Sequence, residues 1–236
     1  MAQLPNAVQL AVELAAQGRF ADLGRKASGL IYQRRLAYGL RRDLEVPLKL
    51  WKAKIPISVR EFRDSDRDVL LPRSSSIPDR KERIELATRQ AHADAGIPTC
   101  FVAIDDRNGA PCYFQWLMGS EHNDKIQSFF GPDWFPILKP DEALLENAYT
   151  PPEYRGNGIM SEAMALIAAK ALDIGCRYVV TFVEVDNIAS LKGCERAGFA
   201  PYTLRSELRL LHRFRMRQFE AIRTDEAAPD AVKLAS

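Results

Sequence analysis

Only four of the 236 residues are cysteine and three are histidine. Cys100, Cys112, Cys176 and Cys194 show no C-x-x-C spacing, and His92, His122 and His212 are scattered. This pattern argues against a zinc site and a disulfide framework, and no metal is expected. No apolar run approaches the roughly 18 residues of a membrane span. The opening Met-Ala-Gln-Leu-Pro has no basic start, and Gln9 and Glu13 interrupt any apolar leader core. A signal peptide is therefore not expected, and the expected location is cytoplasmic. A large charge excess is missing too. The net charge is +2, which calls for no nucleic acid partner.

With 47% hydrophobic and 27% charged residues, the chain can bury a real core and is not disordered. Charge is unevenly spread. Residues 1–54 carry ten Lys/Arg against four Asp/Glu, a balance of +6, so the remainder stands at −4. Three regions follow: a basic helical extension over 1–54, a globular domain over 55–220, and a disordered tail over 221–236.

In the extension, Val8, Leu10, Val12, Leu14, Phe20 and Leu23, then Leu30, Ile31, Leu36 and Leu40, predict two helices split near Gly18 or Gly24. Residues 55–62 read as a strand and 79–94 as a helix with Asp79 at its N-cap. Strands at 99–105 and 111–118 flank Asn108-Gly109, a hairpin signal. Residues 119–140 read as a long irregular loop. A strand at 142–150, a helix at 159–174 and a strand at 177–184 make a β–α–β unit, whose strands should be parallel. A short helix over 187–197 follows. Residues 208–216 alternate as one strand, with Arg209, Arg213, Arg215 and Arg217 on a solvated face. The fold class is α/β, a mixed sheet with helices.

The chemistry-bearing segment lies between strand 142–150 and its helix: Arg155-Gly156-Asn157-Gly158-Ile159-Met160. It places an arginine and two glycines at a helix N-terminus, where unpaired N–H groups attract phosphate. The spacing matches neither a Rossmann fingerprint nor a Walker loop. Read alone, it is equally a plain β–α turn.

This turn resembles the Arg/Gln-x-x-Gly-x-Gly/Ala signature of the GNAT superfamily of N-acetyltransferases. Pro152-Glu153-Tyr154 before it is family-like. So are Asn187-Ile188-Ala189-Ser190 and Gly198-Phe199 downstream. Ile57–Arg60 with Asp64 resembles the opening strand. The resemblance covers 142–200 and, more loosely, 56–118. It implies a sheet whose two parallel strands splay apart, with acetyl-CoA or another acyl-CoA in the cleft. Residues Gly156 to Met160, with Arg155, would hold the pyrophosphate. Ala148, Tyr149 and Thr150 would pair with the pantetheine arm. Asn187 and Ser190 would lie near the thioester end.

Two positions depart from the family. Met160 stands where Gly or Ala is usual, and its place on the apolar stripe sends it into the core. Cys194 stands where many members carry an acid tyrosine. Three roles compete for it: core filler first, then general acid, then acyl acceptor.

Acyl transfer to an amine needs a base. Glu142, Glu146 and Ala148 share a face if strand alternation holds, and Glu146 lies nearest the cleft. Glu142, Glu121 and Asp124 are the other candidates. His122 is the one histidine expected to approach the cleft. Trp134 and Phe135 anchor the long loop or cover an acceptor. The expected reaction moves an acyl group, acetyl first, from coenzyme A to a small-molecule primary amine. Two alternatives stand beside it: an acyl-carrier-protein-dependent N-acyltransferase, and a non-catalytic acyl-CoA binder. The basic extension would pad the domain, build a homodimer, dock the acidic carrier, or bind a membrane surface.

Overall fold

The structure is a computed structural model, and it describes residues 32–72, 80–97, 99–210 and 214–222. These fall into two compact units. The larger takes 37–204 and 221–222. The smaller takes 32–36, 205–210 and 214–220. The expected helices before residue 31, the Asp79 cap and the tail beyond 222 lie outside the described residues.

The strands are β1 (Tyr32–Asp43), β2 (Ile57–Glu61), β3 (Cys100–Asp105), β4 (Ala110–Gly119), β5 (Glu142–Tyr149), β6 (Tyr178–Glu184), β7 (Ala200–Leu210) and β8 (Phe214–Ala221). The α-helices longer than one turn are α1 (Arg80–Asp94), α2 (Asn123–Phe130), α3 (Ile159–Ala169) and α4 (Ile188–Arg196). In the larger unit the sheet runs β2-β3-β4-β5-β6-β1-β7. The pairs β1–β6, β2–β3, β3–β4 and β4–β5 are antiparallel, and β5–β6 is parallel, as the crossover through α3 requires.

β4 is central, and every residue from Pro111 to Gly119 is buried. One face of the sheet packs α3 and α4 through Ile159, Ala163, Met164, Ile167 and Cys194. The other packs α1 and α2 through Leu86, Ile126, Phe135, Phe114 and Trp116. None of the described helices is long and apolar enough to cross a membrane.

Residues 32–43 are a strand, not the end of the helical extension. Ala37 to Asp43 pair antiparallel with Glu184 to Tyr178, and β1 lies between β6 and β7. The sheet supplies backbone partners on both sides, which outweighs the helical spacing of Leu36 and Leu40. Residues 119–140 are not irregular throughout. A 3-10 turn at Ser120–His122 leads into α2, whose Ile126 is fully buried. The chain beyond α2 is tied back to it. Asn123 exchanges hydrogen bonds with Leu138, and the Gln127 amide donates to the Phe135 carbonyl.

In the smaller unit the alternation over 208–216 divides between two strands, β7 and β8. Arg217 is not solvated. Its Nε donates to buried Glu207 at 3.2 Å, and Arg217 itself is half-buried. The side chains of Arg209, Arg213 and Arg215 lie outside the description.

Candidate active site

β5 and β6 pair at only three positions: Glu142 with Tyr178, Ala143 with Val179, and Leu144 with Val180. Beyond Leu144 the two strands part. β5 continues to Tyr149 and β6 to Glu184. The signature turn opens α3 just past the end of β5.

Gly156 and Gly158 hold φ of +79° and +73°, a left-handed backbone that costs other residues. A Cβ on Gly156 would meet nothing within 4 Å. The Asn157 carbonyl accepts from Lys54 N–H at 2.8 Å. Because the peptide is planar and trans, the Gly158 N–H then points the opposite way. Asn157 Nδ2 donates to the Tyr154 carbonyl at 3.0 Å. The turn thus spends carbonyls on the protein, while the first N–H groups of α3 lack helical acceptors. This fits a phosphate-bearing ligand such as coenzyme A.

A strap crosses the head of α3. A Cβ on Gly158 would lie 3.4 Å from Trp51 Nε1 and 3.8 Å from Ala53 Cα. Buried Glu162, in the first turn, accepts from Ala53 N–H at 2.6 Å and from Lys52 Nζ at 2.8 Å. The Arg196 guanidinium lies 4.5 Å from the Trp51 ring centre. Sequence reading put residues 46–54 in the basic extension and did not foresee their contact with α3, since nothing in Pro47 to Lys54 signals that partner.

Arg155 is exposed at the edge of the turn. Its Nε donates to the Thr150 carbonyl at 3.1 Å, and its Nη2 lies 3.4 Å from Glu82 of α1. Met160 is half-buried and turns toward α4, where its sulfur would lie 3.0 Å from a Cβ on Gly193. Asn187 caps α4, its Oδ1 accepting from Ser190 N–H at 3.2 Å. Cys194 is fully buried, with Sγ 3.8 Å from Met164 Sδ. Burial, helped by the charge of Glu146, pushes its thiol up to about 12.

Glu146 and Ala148 do not share a face. Register shifts between Phe114 and Trp116, so that Glu146 pairs with Trp116 and Tyr149 with Phe114. Asn147, at φ +58°, is the hinge of this bulge, and asparagine tolerates that conformation. The extra residue reverses the alternation. Ala148 consequently packs with the α3 side and Tyr149 with the α1 side. Glu142 is buried and accepts from Lys139 N–H at 3.0 Å. Glu121 and Asp124 are exposed.

His122 is half-buried, 3.4 Å from Glu121. Phe135 is buried against Phe130 and Phe182. It is His92, not His122, that reaches the end of β5. The Asn147 amide N–H lies 2.6 Å from His92 Nδ1. An amide nitrogen can only donate, so Nδ1 accepts and the ring proton sits on Nε2. The ring stacks on Trp116 at 4.2 Å and on Phe129 at 5.0 Å. Burial holds its pKa down at about 4, so it is neutral at pH 7. One turn earlier, Arg89 lies 4.4 Å over the Tyr149 ring. Sequence reading missed both, because α1 shows no motif. The i, i+3 spacing of Arg89 and His92 was the available signal.

The model of the Acetyltransferase (GNAT) family matches residues 77–199. The chain belongs to this family. No curated protein matches the sequence. Among solved structures, a functionally unknown conserved protein from Staphylococcus epidermidis ATCC 12228 aligns at TM-score 0.52 and 10% identity, covering 87% of this chain and 81% of that one. A glucosamine N-acetyltransferase region of a fungal multi-domain GH3 beta-N-acetylglucosaminidase aligns at 0.50 and 18%, covering 86% and 22%. A GCN5-related N-acetyltransferase from Sphaerobacter thermophilus gives 0.47 and 14%, covering 87% and 58%. The first three structures matched are covered over 58%, 57% and 22% of their own lengths. The family match, with the likeness to the glucosamine N-acetyltransferase region, shows the GNAT fold, with its parted parallel strands.

Proposed function

We propose that the protein is an acyl-CoA-dependent N-acyltransferase, with acetyl-CoA as donor and a small primary amine as acceptor. The observation that carries this is the three-residue β5–β6 pairing, with the Gly156–Gly158 turn at the mouth of the gap. Coenzyme A supplies an acyl group activated as a thioester. The chain's contribution is to bind, orient and move one proton.

N–H groups of Gly156 to Met160 bind the pyrophosphate, joined by Arg155 when it leaves Glu82. The edge of the chain from Ala148 to Thr150, past the β5–β6 pairing, satisfies the amide-bearing arm. Asn187 and Ser190, joined in the cap of α4, border the thioester end. Glu146, on the edge of the gap, takes the proton of the incoming ammonium through water. Cys194 serves as packing. A thiol near 12, with no open side, is a poor proton donor to a thiolate whose own pKa is about 8.5. Solvent then protonates the leaving thiolate.

Calorimetry with acetyl-CoA, followed by thiol release across a panel of primary amines, tests this reading. Binding with amine-dependent thiol release is expected. Binding without release for any amine would favour a sensor, and no binding would defeat the reading.

A further inference from the structure

Past the parting of β5 and β6, one side of the gap is walled by aromatic rings. Leu144 and Val180 are the last residues that pair, and both belong to the core on the α1 and α2 side. Side chains alternate along a strand, so Glu146 and Phe182, two residues further on, turn to that same side. Two contacts agree. Trp116, the β4 partner of Glu146, is part of this core, and Phe182 packs against it. The proposed base and the Phe182 ring thus stand at the same level on opposite banks of the gap.

A chain of rings runs between them. From Trp116 it passes to His92 at 4.2 Å, to Phe130 at 5.2 Å, to Phe135 at 5.0 Å and to Phe182 at 5.4 Å. Phe129 flanks His92 at 5.0 Å. Trp116, His92 and Phe135 are buried and make the floor. Phe129, Phe130, Phe182 and Glu146 are half-buried, so each keeps part of its surface open. A Cβ on Gly39 of β1 would come within 2.9 Å of Phe182 Cε1, so this glycine lets the ring lie back over β1 and away from the gap. Neither donor below the rings reaches the gap: Arg89 Nη1 and His92 Nε2 are enclosed by protein and have no partner among the described residues. A hydroxyl-rich or anionic acceptor would lose water here without replacement. An apolar body would gain from the same burial.

We infer that Phe129, Phe130 and Phe182 hold an aromatic body attached to the acceptor amine, so that this protein acylates arylalkylamines in preference to amino sugars or amino acids. This rests on the acyltransferase reading above. The ring of the acceptor settles edge to face among the three phenylalanines, and its amine, a short linker away, comes to Glu146. Apolar walls with one fixed polar group are the usual build of a small-molecule pocket.

The test is the parent protein's preference among amines, with acetyl-CoA saturating and thiol release as the readout. Phenethylamine should exceed methylamine, glucosamine and glycine in kcat/KM by roughly 10–100-fold, mostly through KM. Phe130→Leu and Phe182→Leu, which keep an apolar side chain, should each narrow the phenethylamine-to-methylamine ratio by roughly 2–10-fold. Retained acetyl-CoA binding by calorimetry shows each variant to be folded, and a ratio unmoved in folded variants would overturn the role of the rings. Glucosamine or glycine matching phenethylamine in the parent, with acetyl-CoA bound, would overturn this inference alone. So would phenethylamine no better than methylamine beside octanoyl-CoA better than acetyl-CoA, which would give the rings to the acyl chain. Thiol release from no amine at all would overturn the acyltransferase reading and this inference with it.

Discussion

The two ends of the cleft handle buried polarity in opposite ways. At the head of α3 the chain satisfies its own groups. Glu162 takes a backbone N–H and a lysine from the strap, and the helix dipole favours the charge there. At the α1–β5 corner, two donors are built in, fixed by stacking and by one hydrogen bond each, and left unpaired. The first corner is finished by folding. The second is expensive to fold. Two glutamates make the same point. Glu162 is committed to the strap, whereas Glu146 stands on the half-buried stretch of β5 past the parting of the strands.

The comparison breaks first at that pair. If Glu146 is the base, Glu146→Gln should lower kcat by about 10²–10⁴-fold with acetyl-CoA affinity kept. Near-normal turnover at neutral pH would move the role elsewhere.

The strap corner answers to Gly158. Gly158→Val should weaken coenzyme A binding by at least about tenfold, since a branched residue fits poorly at φ +73° and its side chain would press on Trp51. Calorimetry on a folded variant decides, and unchanged affinity would contradict the phosphate-binding role.

The unpaired corner should also show in acid. An unfolded histidine titrates near 6.5, while folded His92 does so at about 4. Between these values the unfolded chain binds a proton that the folded chain refuses. Stability should therefore fall as pH drops through that window, by on the order of 3 kcal/mol, and the His92 contribution should level off below it. Urea melts across that range check the slope. His92→Phe should flatten it.

Smaller effects sharpen the contrast. Cys194→Ala should keep most of kcat and lose only modest stability. A hundredfold loss with binding intact would restore the acid role. Lys52→Ala should cost only about 0.2–1 kcal/mol in a thermal melt, because Lys52 is exposed while Glu162 keeps the Ala53 N–H.

The parts of the fold written in short-range pattern could be read directly. The hairpin around Asn108-Gly109, the β5–α3–β6 unit and the α4 cap all follow local rules, and the glycine turn drew attention to α3. What escaped depends on distant partners. Residues 32–43 carry helical spacing but sit where β6 needs a neighbour. The bulge at Asn147 breaks the strict strand alternation expected from Glu142 to Ala148. Arg89 and His92 look like ordinary positions on a polar helix until the fold buries them against Tyr149 and Trp116. No residue between Pro47 and Lys54 announces the strap, because its partners Asn157, Glu162 and Arg196 lie far along the chain.

The insertion of β1 between β6 and β7 bears on how the chain must be made. Its strand is synthesised early, but the residues it pairs with, Tyr178–Glu184, come near the other end of the domain. Until they emerge from the ribosome, β1 has no ladder to join, and closing so long a loop slows folding. A fragment trimmed to residues 77–199 would never solve this. It would leave β6, with buried Val179, Val180 and Val183, as an open apolar edge, a template for pairing between copies. Expression of that fragment should yield aggregate, and supplying residues 32–54 ahead of it should restore solubility.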